Sequence, residues 1–420
     1  MPSNIAKYRH EIADTIWLML MQGLTYIVPL LVWPYLMRTL GAERFGYIGF
    51  SQSVVLMLMQ VVDFGFNFTA TKQIAQAQGN QEEIDRVASS VMIAKMLLLG
   101  VCALVVLGIE CVPQFADYRA VLGVLSLTVV SNVFSFSWLF QGLGKIRTVS
   151  IVTSLCKISI LPLTFVFVHS ADDVTIAAVL QASIYVVASV ITCIILHKKK
   201  YVHRWNLRPA WTEVRSQLKG GFNLFLSNMA TALYTTFFVM ILGFFEPAEI
   251  VGKYTAAEKL VRVACYLIFI PMTQAFFPKV SAMAATQSDE AKTLIRRICM
   301  LLFLLMCLLA VAFLVGADLI VDLLRREQYA GTENLLRIMA FVPLMVSIGG
   351  VVGELGLIGL GDERAKQKYR NVYFVAGGAA LVFLVALTPF FGVEGVAIGL
   401  LLTESVVCGG MIFWYYKMVR

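Results

Sequence analysis

KKKYVHRWNLRPAWTEVRSQLKG, residues 198–220, is the longest hydrophilic run in the chain, and it separates two long apolar territories. It holds Lys198, Lys199, Lys200, Arg204, Arg208, Arg215 and Lys219, against few acids. On either side, apolar runs follow one another with only short polar breaks. Over the 420 residues, hydrophobic types make up 59% and charged types 14%, where soluble domains average roughly 45–50% and 25%. That is too little charge to cover a water-facing surface. The chain reads as membrane-embedded, with no room for a soluble domain.

A helix needs about twenty apolar residues to cross a bilayer. On that measure the runs give twelve spans, at roughly 13–38, 47–71, 88–110, 119–141, 148–168, 174–197, 220–244, 252–277, 296–317, 332–359, 369–388 and 392–417. The polar opening MPSNIAKYRH is followed by an apolar run too long for a signal-peptide core and without a small-residue cleavage site, so the run is expected to stay as the first span. The N-terminal segment, the even-numbered connections and the C-terminal segment hold 23 Lys and Arg, the odd-numbered connections 6, and the spans 5. By the positive-inside rule both termini belong in the cytoplasm. The formal net charge of +8 is then a signal of topology and lipid contact, and no nucleic-acid partner is needed to explain it. The eight cysteines lie mostly in apolar runs, without a CxxC pair or histidine clustering, so neither disulfides nor a metal site are expected.

The two territories repeat each other weakly but in register. Gly41-Ala42-Glu43-Arg44-Phe45-Gly46 matches Pro247-Ala248-Glu249-Ile250-Val251-Gly252, each between the first and second spans of its half. Leu143-Gly144-Lys145 before span five matches Leu360-Gly361-Asp362 before span eleven. Six spans per half is an even number, so the halves share one orientation, related by an axis along the membrane normal. The expected organisation is an N-terminal six-helix bundle over 1–197, a basic cytoplasmic linker over 198–219 and a C-terminal six-helix bundle over 220–420.

QGLTYIVPLLVWPYLMRTLGAERFGYIGFSQSV at 22–54 and VDFGFNFTATKQIA at 62–75 resemble the start of the O-antigen flippases of the Wzx type. Those belong to the polysaccharide transporter branch of the multidrug/oligosaccharidyl-lipid/polysaccharide exporter superfamily. WLFQGLGKI at 138–146, LPLTFVFV at 161–168, ALYTTFFVMILGFF at 232–245 and VGKYTAAEKLVRVACYLIFIPMTQAFFPKVS at 251–281 are similar to that family too. The resemblance implies an all-α membrane protein, twelve helices in two six-helix bundles around a central cavity, working by alternating access. It implies an undecaprenyl-diphosphate-linked oligosaccharide carried from the cytoplasmic to the periplasmic leaflet of a bacterial inner membrane. A polysaccharide polymerase and a chain-length regulator are the candidate protein partners. The glycan does not follow from it.

Ionisable groups at membrane depth are costly and need a partner or a wet cavity. Span two carries Ser53, Gln60, Asp63, Asn67 and Thr71, which on one continuous helix fall within about 80° of one face. Asp63 reads either as a proton or cation site or as counter-ion to Lys95 on span three. Lys157, near the middle of span five, has no acid in its own span and is the leading candidate to hold an anionic substrate. In span eight Glu258 and Arg262 are four apart and can pair, while Lys259 points about 100° away. Two cations against one anion suit a diphosphate or acidic sugar. Glu404, mid-span in twelve, is a coupling-ion site for H+ or Na+, or a counter-charge to a cavity lysine. Asn223, Ser227, Thr231 and Tyr234 share one face of span seven and suit sugar hydroxyls, although helix–helix hydrogen bonds explain them equally well. The set expected to hold substrate is thus Lys95, Lys157, Lys259 and Arg262, with Gln60 and Asn67 among the polar lining. Pro29, Pro34, Pro162, Pro271 and Pro343 are candidate kinks, and Trp138, Trp414, Tyr415 and Tyr416 read as interfacial belt residues.

An enzyme would need converging acids, a metal motif or a nucleophile with its base. The four histidines lie outside spans or at their ends, and no DxD or HxxxxD string occurs. No cofactor is expected. A multidrug cation exporter would want excess acid in its cavity, whereas the mid-span lysines and arginine favour anions.

Overall fold

The computed structural model describes residues 2–206, 208–283 and 288–419, with side chains from Ile27 onward except at 231, 234 and 288. The described residues form helices and turns without a strand. In chain order the helices are α1 (Pro2–Asp63), α2 (Phe66–Gln76), α3 (Gln81–Cys111), α4 (Arg119–Val133), α5 (Ser137–Gly142), α6 (Ile146–Phe167) and α7 (Val174–Lys198). After the basic linker come α8 (Trp211–Thr235), α9 (Phe237–Phe245), α10 (Ala248–Met283), α11 (Ser288–Leu323), α12 (Arg326–Tyr329), α13 (Thr332–Met339), α14 (Val342–Val351) and α15 (Glu363–Val419). A π-helical turn, Val352–Ile358, extends α14.

Nine stretches of the described residues are long and apolar enough to cross a membrane. Two contain a reversal: α1 turns at Gly41 (φ 77°, ψ 170°) and α15 at Gly392 (φ 54°, ψ −135°). With the α8–α9 pair this accounts for all twelve expected spans. Both turns use glycine because a Cβ makes positive φ costly.

The prolines expected as kinks do not break their helices. Pro29 and Pro34 lie within α1, Pro162 within α6 and Pro271 within α10, where helical dihedrals continue past them. Pro343 sits in the first turn of α14, where its missing N–H has no intrahelical partner to lose. Span two is not one continuous helix either. Phe64 (φ 40°) and Gly65 (φ 80°) break it between α1 and α2, so the phase linking Ser53, Gln60 and Asp63 to Asn67 and Thr71 is lost. The break is wedged in place: Leu224 and the Gly221 carbonyl of α8 occupy the space a Cβ on Gly65 would need.

Where the second part of α1 crosses α10, the backbones touch. A methyl group on Gly46 would overlap the carbonyl oxygen of Ala248, and one on Gly252 would overlap that of Ala42. These are the final glycines of the two matched motifs. The repeat therefore meets itself across a local two-fold, which small residues permit and larger ones would prevent. Phe50, Phe115 and Phe244 pack beside this crossing, Phe115 stacked at 5.0 Å on Phe50 and edge-on at 5.1 Å to Phe244. The Tyr329 hydroxyl donates to the Met37 carbonyl at 2.9 Å, tying the end of α12 to α1. Trp138 is not a belt residue. It is buried with Phe66, Phe140 and Leu139 in a separate core under α3 and the linker.

Candidate substrate cavity

A cavity of about 300 Å³ opens among α1, α4, α6 and α7, with α10 closing one side. Its wall is mostly aliphatic, from Val28, Val32, Val55, Leu125 and Ile160. Two ammonium groups reach it, Lys157 from α6 and Lys259 from α10, and none of the lining residues is acidic.

Lys259 is held from two sides. Its Nζ donates to Gln52 Oε1 at 2.9 Å and lies 3.9 Å from the centre of the Trp33 ring. The ring face offers electrostatic stabilisation without neutralising the charge. Gln52 Nε2 then donates to Gln181 Oε1 at 2.6 Å, which leaves Gln181 Nε2 buried without an acceptor among the described residues. Lys157 is half-buried, with no hydrogen-bond or ion-pair partner among the described residues. The polar ends turned into the cavity are thus N–H donors in need of acceptors.

The other expected cations are elsewhere. Lys95 is 1% exposed and spends its ammonium on Asp63 Oδ1 at 3.1 Å, the Asn132 carbonyl at 3.3 Å and Asn132 Oδ1 at 3.2 Å. A lysine has three donors, and all three are used. Lys95 is therefore not a cavity residue, and Asp63 is its counter-ion. Arg262, three residues along α10 from Lys259, does not line the cavity. Its Nε donates to Glu258 Oε1 at 2.9 Å and its Nη1 to the Tyr266 hydroxyl at 3.2 Å, with Glu404 Oε1 at 3.5 Å. Arg262 and Glu258 lie on one face of α10, and Glu404 of α15 joins them there.

Gln60, Asn67, Asn223 and Ser227 do not line the cavity. Asn67 lies beyond the Gly65 break, and Asn223 is exposed on α8, near the start of the second half. Thr231 and Tyr234 have side chains outside the described residues. Gln52, Gln181, Trp33 and Tyr185, which do line it, were missed because an uncharged residue in an apolar run carries no cost that singles it out. Their signal was only that two glutamines sit within spans two and six.

Glycine turns, a self-contacting repeat and a mostly apolar cavity with a few polar ends, set among twelve apolar helices, define a multi-pass membrane protein built like a transporter. The family model described as "Polysaccharide biosynthesis protein" matches residues 12–284, and the chain belongs to that family. It is 30% identical over 402 residues to a "Putative O-antigen transporter" of Escherichia coli (strain K12), covering 96% of this chain and 95% of that one. A protein of the same description from Shigella dysenteriae is 29% identical over 392 residues, covering 93% and 96%. Among solved structures, the lipid II flippase MurJ in an inward closed conformation superposes with a TM-score of 0.70 at 13% identity, covering 96% of this chain and 90% of that one. An inward-facing multidrug resistance MATE family transporter of the MOP superfamily gives 0.69 at 16%, covering 94% of each. These likenesses establish the fold.

Proposed function

We propose that this chain is a flippase, not an enzyme, carrying an undecaprenyl-diphosphate-linked O-antigen or similar repeat unit from the cytoplasmic to the periplasmic leaflet by alternating access. The inner membrane is its place, with both termini cytoplasmic, in keeping with the 23-to-6 division of basic residues. Residues 1–197 and 220–420 act as two bundles joined by the basic linker. Lys157 and Lys259 hold the diphosphate, and Gln181 supplies a further donor. The polymerase and chain-length regulator that use such repeat units are the protein partners this reading brings with it.

The cavity carries the reading. It offers two ammonium groups and an unmatched amide N–H and no carboxylate among its lining residues, a complement for an anion rich in acceptors. Expulsion of organic cations, the rival function, needs the opposite sign. Glu404 and Glu258 share one guanidinium, which leaves one negative charge over, and we place coupling to H+ or Na+ there. The Gly46–Gly252 crossing is the contact that must part as the far side opens.

Complementation of a flippase-null strain tests the cavity. Lys157→Ala and Lys259→Ala should each lower surface polysaccharide by at least about tenfold, the order of one lost charge-assisted contact, with the protein still in the membrane. Undiminished display in both variants removes the cationic-cavity mechanism.

A further inference from the structure

Far from the cavity, the linker folds back onto the start of α3. The Asp85 carboxylate accepts the backbone N–H groups of His203 and Arg204, each at 2.9 Å, and the Ser89 hydroxyl accepts that of Asn206 at 2.9 Å. A second cavity of about 700 Å³ lies beneath this clamped loop, between α3 and the end of α7. Its rim carries His197, Lys200 and His203, all exposed and without a side-chain partner among the described residues. Its floor is Phe136, whose ring lies 5.7 Å from that of Trp205. Met96, 39% exposed, continues the apolar wall along α3 toward the middle of the membrane. None of the lining residues is a carboxylate, because Asp85 faces the backbone it anchors.

We propose that this pocket holds the headgroup of an anionic phospholipid of the cytoplasmic leaflet, with an acyl chain laid along Met96. The leaflet rests on the orientation proposed above. Three features select this occupant. The rim joins Lys200 to two unpartnered histidines with no carboxylate among them, it lies at the end of α7 beside the basic linker, and the apolar wall runs on from it as a free phosphate would not require. Basic pockets between spans on the cytoplasmic side are a recurring way to hold such lipids. Exposed Trp205 suits the interface, where one end of its ring is apolar and the other wet. The site is not the transport cavity. It shares no lining residue with it, and His197 lies twelve residues beyond Tyr185 on α7, about 18 Å along the helix.

Trp205 provides its own reporter. The full chain is placed in nanodiscs containing phosphatidylglycerol or phosphatidylcholine with brominated acyl chains, and the emission lost on Trp205→Phe defines the Trp205 signal. That signal should be quenched at a mole fraction of phosphatidylglycerol about fivefold lower than of phosphatidylcholine, as expected for a few surface cations. The combined variant His197→Gln/Lys200→Gln/His203→Gln should erase the preference, while Lys198→Gln/Lys199→Gln, which removes two lysines outside the pocket and so more fixed positive charge, should keep it. Equal quenching of the wild-type protein by the two lipids overturns the proposal without any charge variant having to fold. So does a preference that survives the combined variant, or one that excess inorganic phosphate alone abolishes, which would mark a free-anion site. Nanodiscs expose both faces and the readout needs no transport, so failure here is distinct from failure of the flippase reading.

Discussion

Two ion clusters, one in each half of the chain, are built differently. In the first half, Asp63 on α1, Lys95 on α3 and Asn132 on α4 form a closed triangle in which Asn132 Nδ2 also donates to Asp63 Oδ2 at 3.4 Å. One cation meets one anion, and each ammonium proton has its acceptor. In the second half, Arg262 on α10 stands between Glu258 and Glu404, with its Nη2 buried and unmatched. There two anions share one cation. In the neutral, saturated cluster each charge already has its partner, and the contacts tie three helices together. In the unbalanced one, two carboxyl groups share a single guanidinium, which is why we place ion coupling there. The contrast teaches that a mid-membrane charge is informative only once its partners are counted.

The largest effect should come from breaking the balanced cluster. Lys95→Met leaves Asp63, 19% exposed and bonded to Asn132, without its cation and should destabilise the fold by about 1–3 kcal/mol, read as a fall in folded yield and in the melting temperature in detergent. Adding Asp63→Asn should restore most of that loss, since a neutral amide can still bond to Asn132. A single variant as stable as wild type would show that the triangle is not a structural lock.

Locking the halves apart ranks next. Gly46→Leu drives a side chain into the Ala248 carbonyl and should abolish surface polysaccharide while the chain remains in the membrane. If display persists, the crossing is not the closing contact, and the unbalanced cluster loses the motion it is meant to drive.

Glu404→Gln addresses the unbalanced cluster itself. Arg262 keeps Glu258, so the stability cost should be about 1 kcal/mol, that of one weakened hydrogen bond. Transport in proteoliposomes should nevertheless stop responding to an imposed proton or sodium gradient. A gradient response equal to wild type would move coupling away from this site, and a stability loss as large as that of Lys95→Met would erase the difference between the clusters.

The smallest effect belongs to a carboxylate in water. Between α6 and α7, the Asp173 carboxylate accepts the backbone N–H of His169 at 2.9 Å and of Ser170 at 2.8 Å, and also the Ser170 hydroxyl. These donors, that of His169 foremost, hold the Asp173 carboxyl below its ordinary range. Its contribution is complete at neutral pH and is lost as pH falls through that lowered value. The gap in melting temperature between wild type and Asp173→Asn should therefore be small at pH 7 and close on acidification. A gap that widens in acid reverses the sign of this account.

Much of the architecture was legible in the chain. Twelve spans follow from apolar length alone, because a bilayer demands about twenty such residues and tolerates few charges. The two matched motifs marked the repeat before any contact between them was seen. Asp63 and Lys95 could be paired as an alternative from depth along their spans, and Lys157 could be singled out because its own span offers it no acid.

What could not be read was which way a side chain turns and what another half brings to it. The break at Phe64–Gly65 resets helical phase by an amount no periodicity rule supplies, so the polar stripe drawn through Asn67 failed. From the sequence Arg262 pairs with Glu258 and still counts among the substrate cations, because its second anion, Glu404, comes from α15 at the far end of the chain. Gln52 and Gln181 looked bland because amides cost little in a span, and only their meeting beside Lys259 gives them a role. Length, hydropathy and basic-residue bias are local sums, so the sequence by itself determined a twelve-span protein with a basic join. Partnership depends on contacts between residues distant in the chain. Tertiary structure alone decided that Lys157 and Lys259 reach the cavity while Lys95 and Arg262 meet carboxylates elsewhere.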